Sequence, residues 1–549
     1  MTISHIQLKK VAFFCLALPS VIFVLGFLKW YIGVPVALLL ALAYLFVIRD
    51  MKTEEARTVR LPISSVLLLF FVAVAWCFFA GLGNLYSQSN DWSARNAIFR
   101  DLIRFDWPVV YRTTNASLVY YIGYWLPAAL LGKGMFLLTG RLPIAWTVGN
   151  MALWAWSAIC VFTVFLLLLV YLQTASKKQM WFIILIFVFF SGIDIVGTLY
   201  NWIFRRWGFP THLEWWTVYQ FSSMTTALNW VFNQSVFAWM ATVLFLLEKK
   251  VRNYALIIVL LLSSSPIPAV GLGLYMVGYA LYLLWGAIRK KNAPRFWRDV
   301  FTVQNVIPVL TLLPIYFLYY KTNLAVNVGQ AYTVVPPRDW GGIIFLLGLT
   351  AALIFTAWWL RRRQISIRPK LWLTVFATLL VIVAVMLFDP STRISYFVFL
   401  VMEVFAFLLL LWKDYQDSPL FYLTWGIAML CPLITVGTAG DFCMRASLPV
   451  VFVLMVMCMR YLLDHASVLK QKGGVEKALY IALIVLMLLG AVTPIVEFFR
   501  GARDYILGYR AFDWIYTLDQ IFTGELEGTD RNFIARSYQE HFFFRYLTK

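Results

Sequence analysis

The residues best suited to chemistry stand together in one polar stretch, residues 90–108, of a chain that is only 13% charged. An aspartate can act as a general base towards an attacking hydroxyl, and a guanidinium matches the oxygen atoms of a phosphate. The stretch combines both types, namely Asp91, Arg95, Arg100, Asp101, Arg104 and Asp106. Its composition therefore suits proton transfer next to a phosphate group.

Hydrophobic spacing predicts a helix from about Ser93, with Ile98, Leu102 and Phe105 on one stripe. A stripe of this kind with polar flanks is typical of a helix that lies in a membrane interface. Asp91 stands just before the start of the helix. Two interpretations of Asp91 therefore stay open, a helix N-cap and a catalytic carboxylate.

Composition places these residues in a helical membrane protein. The 549 residues are 62% hydrophobic with a mean hydropathy of +0.78, and repeated apolar runs are long enough to cross a hydrocarbon layer of about 30 Å. These runs are continuous rather than alternating, which argues against a transmembrane β-barrel. The predicted fold is all-α, a polytopic transmembrane bundle of about 13–15 membrane segments with a large external loop that carries interfacial helices.

Charge and side-chain chemistry exclude several functional classes. Most of the basic residues behind the net charge of +20 lie in short loops, as the positive-inside rule expects, so no nucleic-acid partner is predicted. The six cysteines lack the spacing of a disulfide framework or a zinc site. None of the four histidines lies well inside an apolar run, which argues against haem proteins and intramembrane metalloproteases.

The positions of the basic loops predict the topology. Residues 1–498 form a transmembrane domain with a first external loop at about 84–143, and residues 499–549 form an external tail. Leu118–Leu138 is interpreted as an external hairpin, because a full span there would invert the charge of the later loops. Ser263–Pro268 interrupts the long apolar run Tyr254–Trp285, which predicts two short helices that meet at a buried break.

Other charged residues fall in loops that are predicted to be external, where arginine opposes the topological bias. Phosphate binding would explain them, and the candidates are Arg205, Arg206, Arg338, Arg393, Asp441 and Arg445. Alternatives stay open: Asp441 and Arg445 fit an i,i+4 ion pair, Arg393 fits a topological anchor, and the Arg205–Arg206 pair fits a contact with lipid headgroups.

Four further acids have different predicted roles. Asp101 and Asp106 are expected to be solvated partners of the nearby arginines. Asp194 and Glu403 lie within apolar runs, where ionisable groups are functional candidates by default. The alternative for Glu403 is a structural hydrogen bond to a neighbouring helix.

The segments Asn90–Pro108 and Gly440–Pro449, together with the large loop after an early span, resemble the GT-C superfamily of membrane glycosyltransferases. The resemblance implies a bacterial plasma-membrane enzyme that takes a sugar from a polyprenyl-phosphate donor on the external face. Asp91 matches the acid of the family's loop, and Arg393 and Arg445 match its habit of placing basic residues near the carrier phosphate. Asp91 has no neighbouring second acid, unlike the family's frequent paired acids, so no residue is assigned to a metal and a divalent metal stays an open alternative.

The expected reaction is an inverting transfer in which Asp91 is the general base and arginines hold the phosphate of the leaving group. The expected partners are the lipid-linked donor, a glycan, lipid or protein acceptor, and membrane lipids. Two alternatives stay open. One is a transporter or lipid flippase with a midplane site at the broken helix and Glu403, and the other is a glycan polymerase or ligase of another membrane fold.

Overall fold

A computed structural model describes residues 1–204, 212–324, 369–388, 393–434, 436, 441–470, 474–508, 516–521 and 532–549. Helices dominate this part of the chain. In its first half they are α1 His5–Phe27, α2 Trp30–Met51, α3 Ile63–Phe79, α4 Trp92–Arg104, α5 Leu126–Thr139, α6 Leu142–Tyr171, α7 Lys177–Phe189, α8 Asp194–Phe204, α9 Met224–Leu247, α10 Tyr254–Leu261 and α11 Pro266–Arg289.

The described part of the second half is also mainly helical. Its helices are α12 Ala293–Val300, α13 Val303–Leu310, α14 Leu312–Lys321, α15 Pro369–Phe388, α16 Arg393–Leu400, α17 Ala406–Tyr415, α18 Pro419–Leu430, α19 Asp441–Ala446, α20 Leu448–Asp464, α21 Val475–Gly490, α22 Val492–Ile506 and α23 Leu518–Ile521. A π-helical turn, Val401–Phe405, joins α16 to α17.

The chain is a multi-pass helical membrane protein, as predicted. Within the ranges described above, nine apolar helical stretches are long enough to cross a membrane, and four shorter ones of 10–17 residues accompany them. The predicted span at 341–360 lies outside the described residues. Helix α5 has 14 residues, which gives a length of about 21 Å, so it is too short to cross the hydrocarbon layer alone.

Contacts group the chain into two compact units. Unit 1 comprises Met1–Phe190, Ser222–Gly329 and Pro494–Lys549, and unit 2 comprises Ser191–Phe221 and Gln330–Thr493. The predicted boundary at residue 498 therefore falls inside α22, which passes from the end of unit 2 into unit 1.

The core of unit 1 is built around α9, whose membrane-length window is 89% buried. Trp239 of α9 stacks on Trp76 of α3 with ring centroids 5.7 Å apart, and Trp76 stacks in turn on Phe165 of α6. The indole N–H of Trp76 donates to Thr225 Oγ1 at 3.1 Å, so this large aromatic side chain is buried without an unmet donor.

Five short strands occur in the described part of unit 1. Strand β1 (Thr2–Ser4) pairs with β2 (Thr58–Arg60), and β4 (Ala116–Leu118) pairs with both β3 (Val110–Tyr111) and β5 (Ile534–Arg536). Because β5 belongs to the C-terminal tail, this second sheet ties the tail to the 84–143 loop.

The predicted helix break is present between α10 and α11. The freed carbonyl oxygens are occupied by protein: Ser263 O accepts from Gly123 N at 2.9 Å, and Leu262 O accepts from the Tyr320 hydroxyl at 2.6 Å. Ser265 Oγ donates to Gln234 O at 2.9 Å. Protein atoms therefore satisfy the polar groups at the break. This arrangement gives no support to a substrate site for transport at this position.

Candidate functional site

Asp91 lies at the start of α4, and half of its side chain is exposed. Its carboxylate Oδ2 accepts a hydrogen bond from Arg95 Nη2 at 3.0 Å, one helical turn further on. The side chain makes no capping bond to the backbone of α4. Asp91 therefore occupies the N-cap position of α4 without capping it through its side chain, and the carboxylate is half exposed beside a guanidinium.

Arg95 is buried, with only 7% of its side chain exposed. Its other terminal nitrogen, Nη1, has no hydrogen-bond partner in the described part of the chain. A buried donor without an acceptor costs about 1–3 kcal/mol, so an anionic ligand oxygen at this position would be favourable. The Asp91–Arg95 pair thus combines a proton acceptor with a donor suited to an anion.

Side chains around the first turns of α4 fix this pair in place. Gln88 accepts from Asn96 Nδ2 at 2.8 Å and donates to Gly81 O at 2.9 Å, which ties α4 to the turn that ends α3. The Trp92 indole N–H donates to Asn229 O at 3.1 Å, and its ring stacks on Phe232 of α9. The start of α4 is therefore held against both α3 and α9.

The apolar stripe of α4 differs from its expected setting. Ile98 and Leu102 are fully buried, and the small residues Gly132 of α5 and Gly149 of α6 allow Ile103 to approach closely. The stripe packs on protein instead of lying open to lipid. Helix α4 is consequently a rigid platform for Asp91.

Asp101 is also buried, so the prediction of a solvated side chain was wrong for this residue. Its carboxylate accepts from Arg100 Nη1 at 2.8 Å, from the Tyr111 hydroxyl at 2.8 Å and from the backbone N–H of Leu518 at 2.9 Å. Burial raises the pKa of Asp101 from its ordinary value of 3.8 to about 6, against the opposing effect of these hydrogen bonds. Asp101 joins α4 to α23 in the tail and is shielded from any substrate in solution.

An apolar groove of about 570 Å³ lies beside the loop that precedes α4, entirely within unit 1. Helix α3, the end of α7 and α22 form its walls. Its lining residues are Val72, Ala75, Trp76, Phe79, Tyr86, Val188, Phe189, Ile495, Phe498, Phe499 and Ala502. A groove between apolar helices with this lining suits a hydrocarbon chain.

Tyr86 is the lining residue that connects the groove to the Asp91–Arg95 pair. Its ring stacks on Tyr505 of α22 and meets Phe79 of α3 edge to face. Two residues after Tyr86, Gln88 makes the hydrogen bond to Asn96 of α4. One short loop therefore links the groove to the half-exposed carboxylate.

A second polar group lies on α22. Arg500 pairs with Glu497 and lies 4.8 Å from the ring centroid of Trp230, whose indole N–H donates to Glu497 at 3.2 Å. Sequence reasoning missed Glu497 and Arg500 because they stand at the end of an apolar run, where they look like topological charges.

The structure describes some of the other predicted site residues and not others. Arg445 Nη1 lies 3.2 Å from Asp441 Oδ2, which is the i,i+4 ion pair of the structural alternative. Arg393 is the first residue of α16.

Arg205, Arg206 and Arg338 lie outside the described residues. Because Asp91 belongs to unit 1 and Asp441, Arg393 and Arg445 to unit 2, a role for these arginines at a carrier phosphate stays a prediction.

The donor set around Asp91 does not suit a divalent metal. Asp91 contributes one carboxylate, which is already bonded to a guanidinium, and no group of three or more acids, histidines or cysteines suited to a metal occurs in the described ranges. Hard cations such as Mg²⁺ require several oxygen ligands.

Comparisons with protein-family models, curated proteins and solved structures find no match to this chain.

Proposed function

We propose that this chain is a membrane glycosyltransferase that moves a sugar from a polyprenyl-phosphate donor to an acceptor on the external membrane face. The observation that carries the proposal is that the loop from Tyr86 to Gln88 connects the apolar groove to the helix that bears the half-exposed Asp91 and the buried Arg95. A lipid-linked sugar needs both surfaces, because its chain is apolar and its reacting end is charged and hydrophilic. The resemblance of residues 90–108 to the GT-C loop points to the same substrate class.

The groove would hold part of the isoprenoid chain, and Tyr86 would mark its outer end. The carrier phosphate would then reach Arg95, whose Nη1 has an unmet donor. A guanidinium supplies a short, charge-assisted hydrogen bond to a phosphate oxygen. Arg95 would thereby stabilise the negative charge that grows on the leaving polyprenyl phosphate.

Asp91 would act as the general base. The acceptor hydroxyl oxygen forms a bond to the anomeric carbon while its proton passes to the Asp91 carboxylate. The bond from the anomeric carbon to the phosphate oxygen breaks, and polyprenyl phosphate departs from the opposite side, which inverts the anomeric centre. Because the phosphate is already a good leaving group, a carboxylate is a sufficient base, and positioning supplies much of the rate.

The test is a transfer assay with the full chain in lipid nanodiscs and a panel of polyprenyl-phosphate hexoses and pentoses. Asp91→Asn retains the side-chain size and can still accept from Arg95, so we expect it to fold. Its turnover should fall by roughly 10²–10⁴-fold, as for loss of a general base. The matched control is Asp106→Asn, at an exposed acid of the same stretch, which should transfer at the wild-type rate.

Full turnover by the Asp91→Asn enzyme would refute the role of Asp91. Movement of an intact labelled lipid-linked sugar across the bilayer, with no transfer to any acceptor, would instead establish the flippase alternative.

A further inference from the structure

Two carboxyl groups meet inside unit 2. Asp194 begins α8, and Glu403 lies in the π-helical turn Val401–Phe405. The two residues are 2% and 4% exposed, and their side chains are hydrogen-bonded to each other. Two carboxylates have no donor between them, so this hydrogen bond requires a proton on one of the two acids.

The surroundings of Asp194 show which acid holds the proton. Ser191 Oγ and Thr493 Oγ1 both donate to Asp194 Oδ2, at 3.1 and 3.0 Å. Asp194 is therefore arranged as the acceptor of several donors. Glu403 is left as the acid that carries the proton and donates it.

The backbone is shaped to allow this contact. The chain is not helical from Phe190 to Ile193, between α7 and α8. A Cβ at Gly192 would clash with Glu403 Oε2, so the absence of a side chain at Gly192 leaves room for the Glu403 carboxyl group in this position. Ile193 N donates to Met402 O at 3.1 Å, which binds the non-helical segment to the π-helical turn. Unwound segments and π-helical turns recur at functional sites of membrane helices.

One oxygen of the pair lacks a hydrogen-bond partner among the described residues. Glu403 Oε1 is buried and has no hydrogen-bond partner in the described ranges. No lysine or arginine of those ranges forms an ion pair with Asp194 or Glu403. The other titratable groups nearby are Glu214 and Cys443, with His212 at 3.6 Å from Glu214.

We propose that Asp194 and Glu403 form a site that binds and releases one proton inside the membrane domain. On release the O–H bond of Glu403 breaks, the proton passes to water, and a second carboxylate is left beside Asp194. The two like charges then repel each other, which favours separation of the π-helical turn from the segment at Gly192. This function goes beyond glycosyl transfer and does not rest on it.

The test is infrared spectroscopy of the full chain in lipid nanodiscs, titrated over the stable pH range. Besides the contribution of the buried Asp101 carboxyl, which an Asp101→Asn variant identifies, the wild-type protein should show a protonated carboxyl C=O band that shifts in D₂O and disappears as the pH rises. Glu403→Gln can still donate to Asp194, so it should fold, and it should lack this band. Asp194→Asn removes the neighbouring charge and should move the loss of the band to lower pH. The matched control is Glu540→Gln, at an exposed acid of the tail, which should leave the band unchanged.

Absence of a pH-dependent carboxyl band in the wild-type protein would overturn the proposal, as would an unchanged band in Glu403→Gln. Sodium, potassium and lithium chloride are compared in parallel thermal unfolding runs. Stabilisation by one of these cations that needs Glu403, together with no protonated band, would identify an alkali-cation site instead.

Discussion

The two units hold their carboxyl groups in opposite ways. In unit 1, Asp91 is half exposed and bonded to the guanidinium of Arg95. In unit 2, Asp194 and Glu403 are buried against hydroxyl groups and against each other. A carboxylate that solvent reaches can accept a proton from an attacking hydroxyl, whereas two buried carboxyl groups in contact retain one proton between them. The same residue type thus suits base catalysis in one region and proton storage in the other.

We expect Arg95 to be the residue that distinguishes the site at Asp91 from the carboxyl pair of unit 2. Arg95→Gln removes the charge next to Asp91 and the free donor Nη1. Loss of a hydrogen bond to a charged group costs about 1.5–3 kcal/mol, so donor affinity should fall about 10- to 100-fold. Binding of a polyprenyl-phosphate sugar in nanodiscs measures the effect, and Arg95→Lys should restore only part of it, because an ammonium lacks the guanidinium fork.

Arg104→Ala is the control for this experiment. Arg104 lies in the last turn of the same helix and is exposed, so its removal should leave donor affinity unchanged. Equal losses in the Arg95 and Arg104 variants would show a general charge effect. Wild-type affinity in Arg95→Gln would remove Arg95 from the site.

Asp101 combines features of both regions: it is buried, like Asp194 and Glu403, and it contacts an arginine, as Asp91 does. Burial raises its pKa to about 6 from 3.8, so between about pH 4 and 6 the folded chain holds a proton that the unfolded chain has lost. Stability should therefore decrease as the pH rises through this window, by at most about 3 kcal/mol. Above about pH 6 this contribution is constant.

Asp101→Asn should remove that pH dependence. We expect the difference in Tm between the wild-type protein and the variant to change by a few degrees between pH 4 and 6, which thermal unfolding in one detergent will measure. If the Tm values of the two proteins change with pH by the same amount, Asp101 does not exchange a proton on unfolding.

Hydrophobic patterning predicted most of the fold, because long apolar runs in a membrane protein have few alternative structures. The membrane-length helices and the break at Ser263–Ser265 lie in the apolar runs that predicted them. The two-unit division was not predicted. It depends on contacts between segments far apart in the chain, such as Ile193 with Met402.

The candidate site was less predictable, as the two ends of α4 show. Asp91 and Asp101 occur in similar sequence surroundings, yet one is half exposed and the other is buried under Tyr111 and the Leu518 backbone. Spacing along one helix carries no information on what the tail covers. For the same reason spacing does not indicate the groove, because two of its walls, α3 and α22, are more than 400 residues apart in the chain.

The most direct test of the central claim is native mass spectrometry of the Asp91→Asn protein purified with its membrane lipids. If Asp91 is the base at a lipid-linked donor site, this variant binds the donor and fails to consume it. We expect a bound species with the mass of polyprenyl phosphate plus one sugar. Its occupancy should drop when Ala75→Phe fills the groove in the same variant. If both proteins bind only ordinary phospholipids and no polyprenyl phosphate, Asp91 does not lie at a lipid-linked donor site.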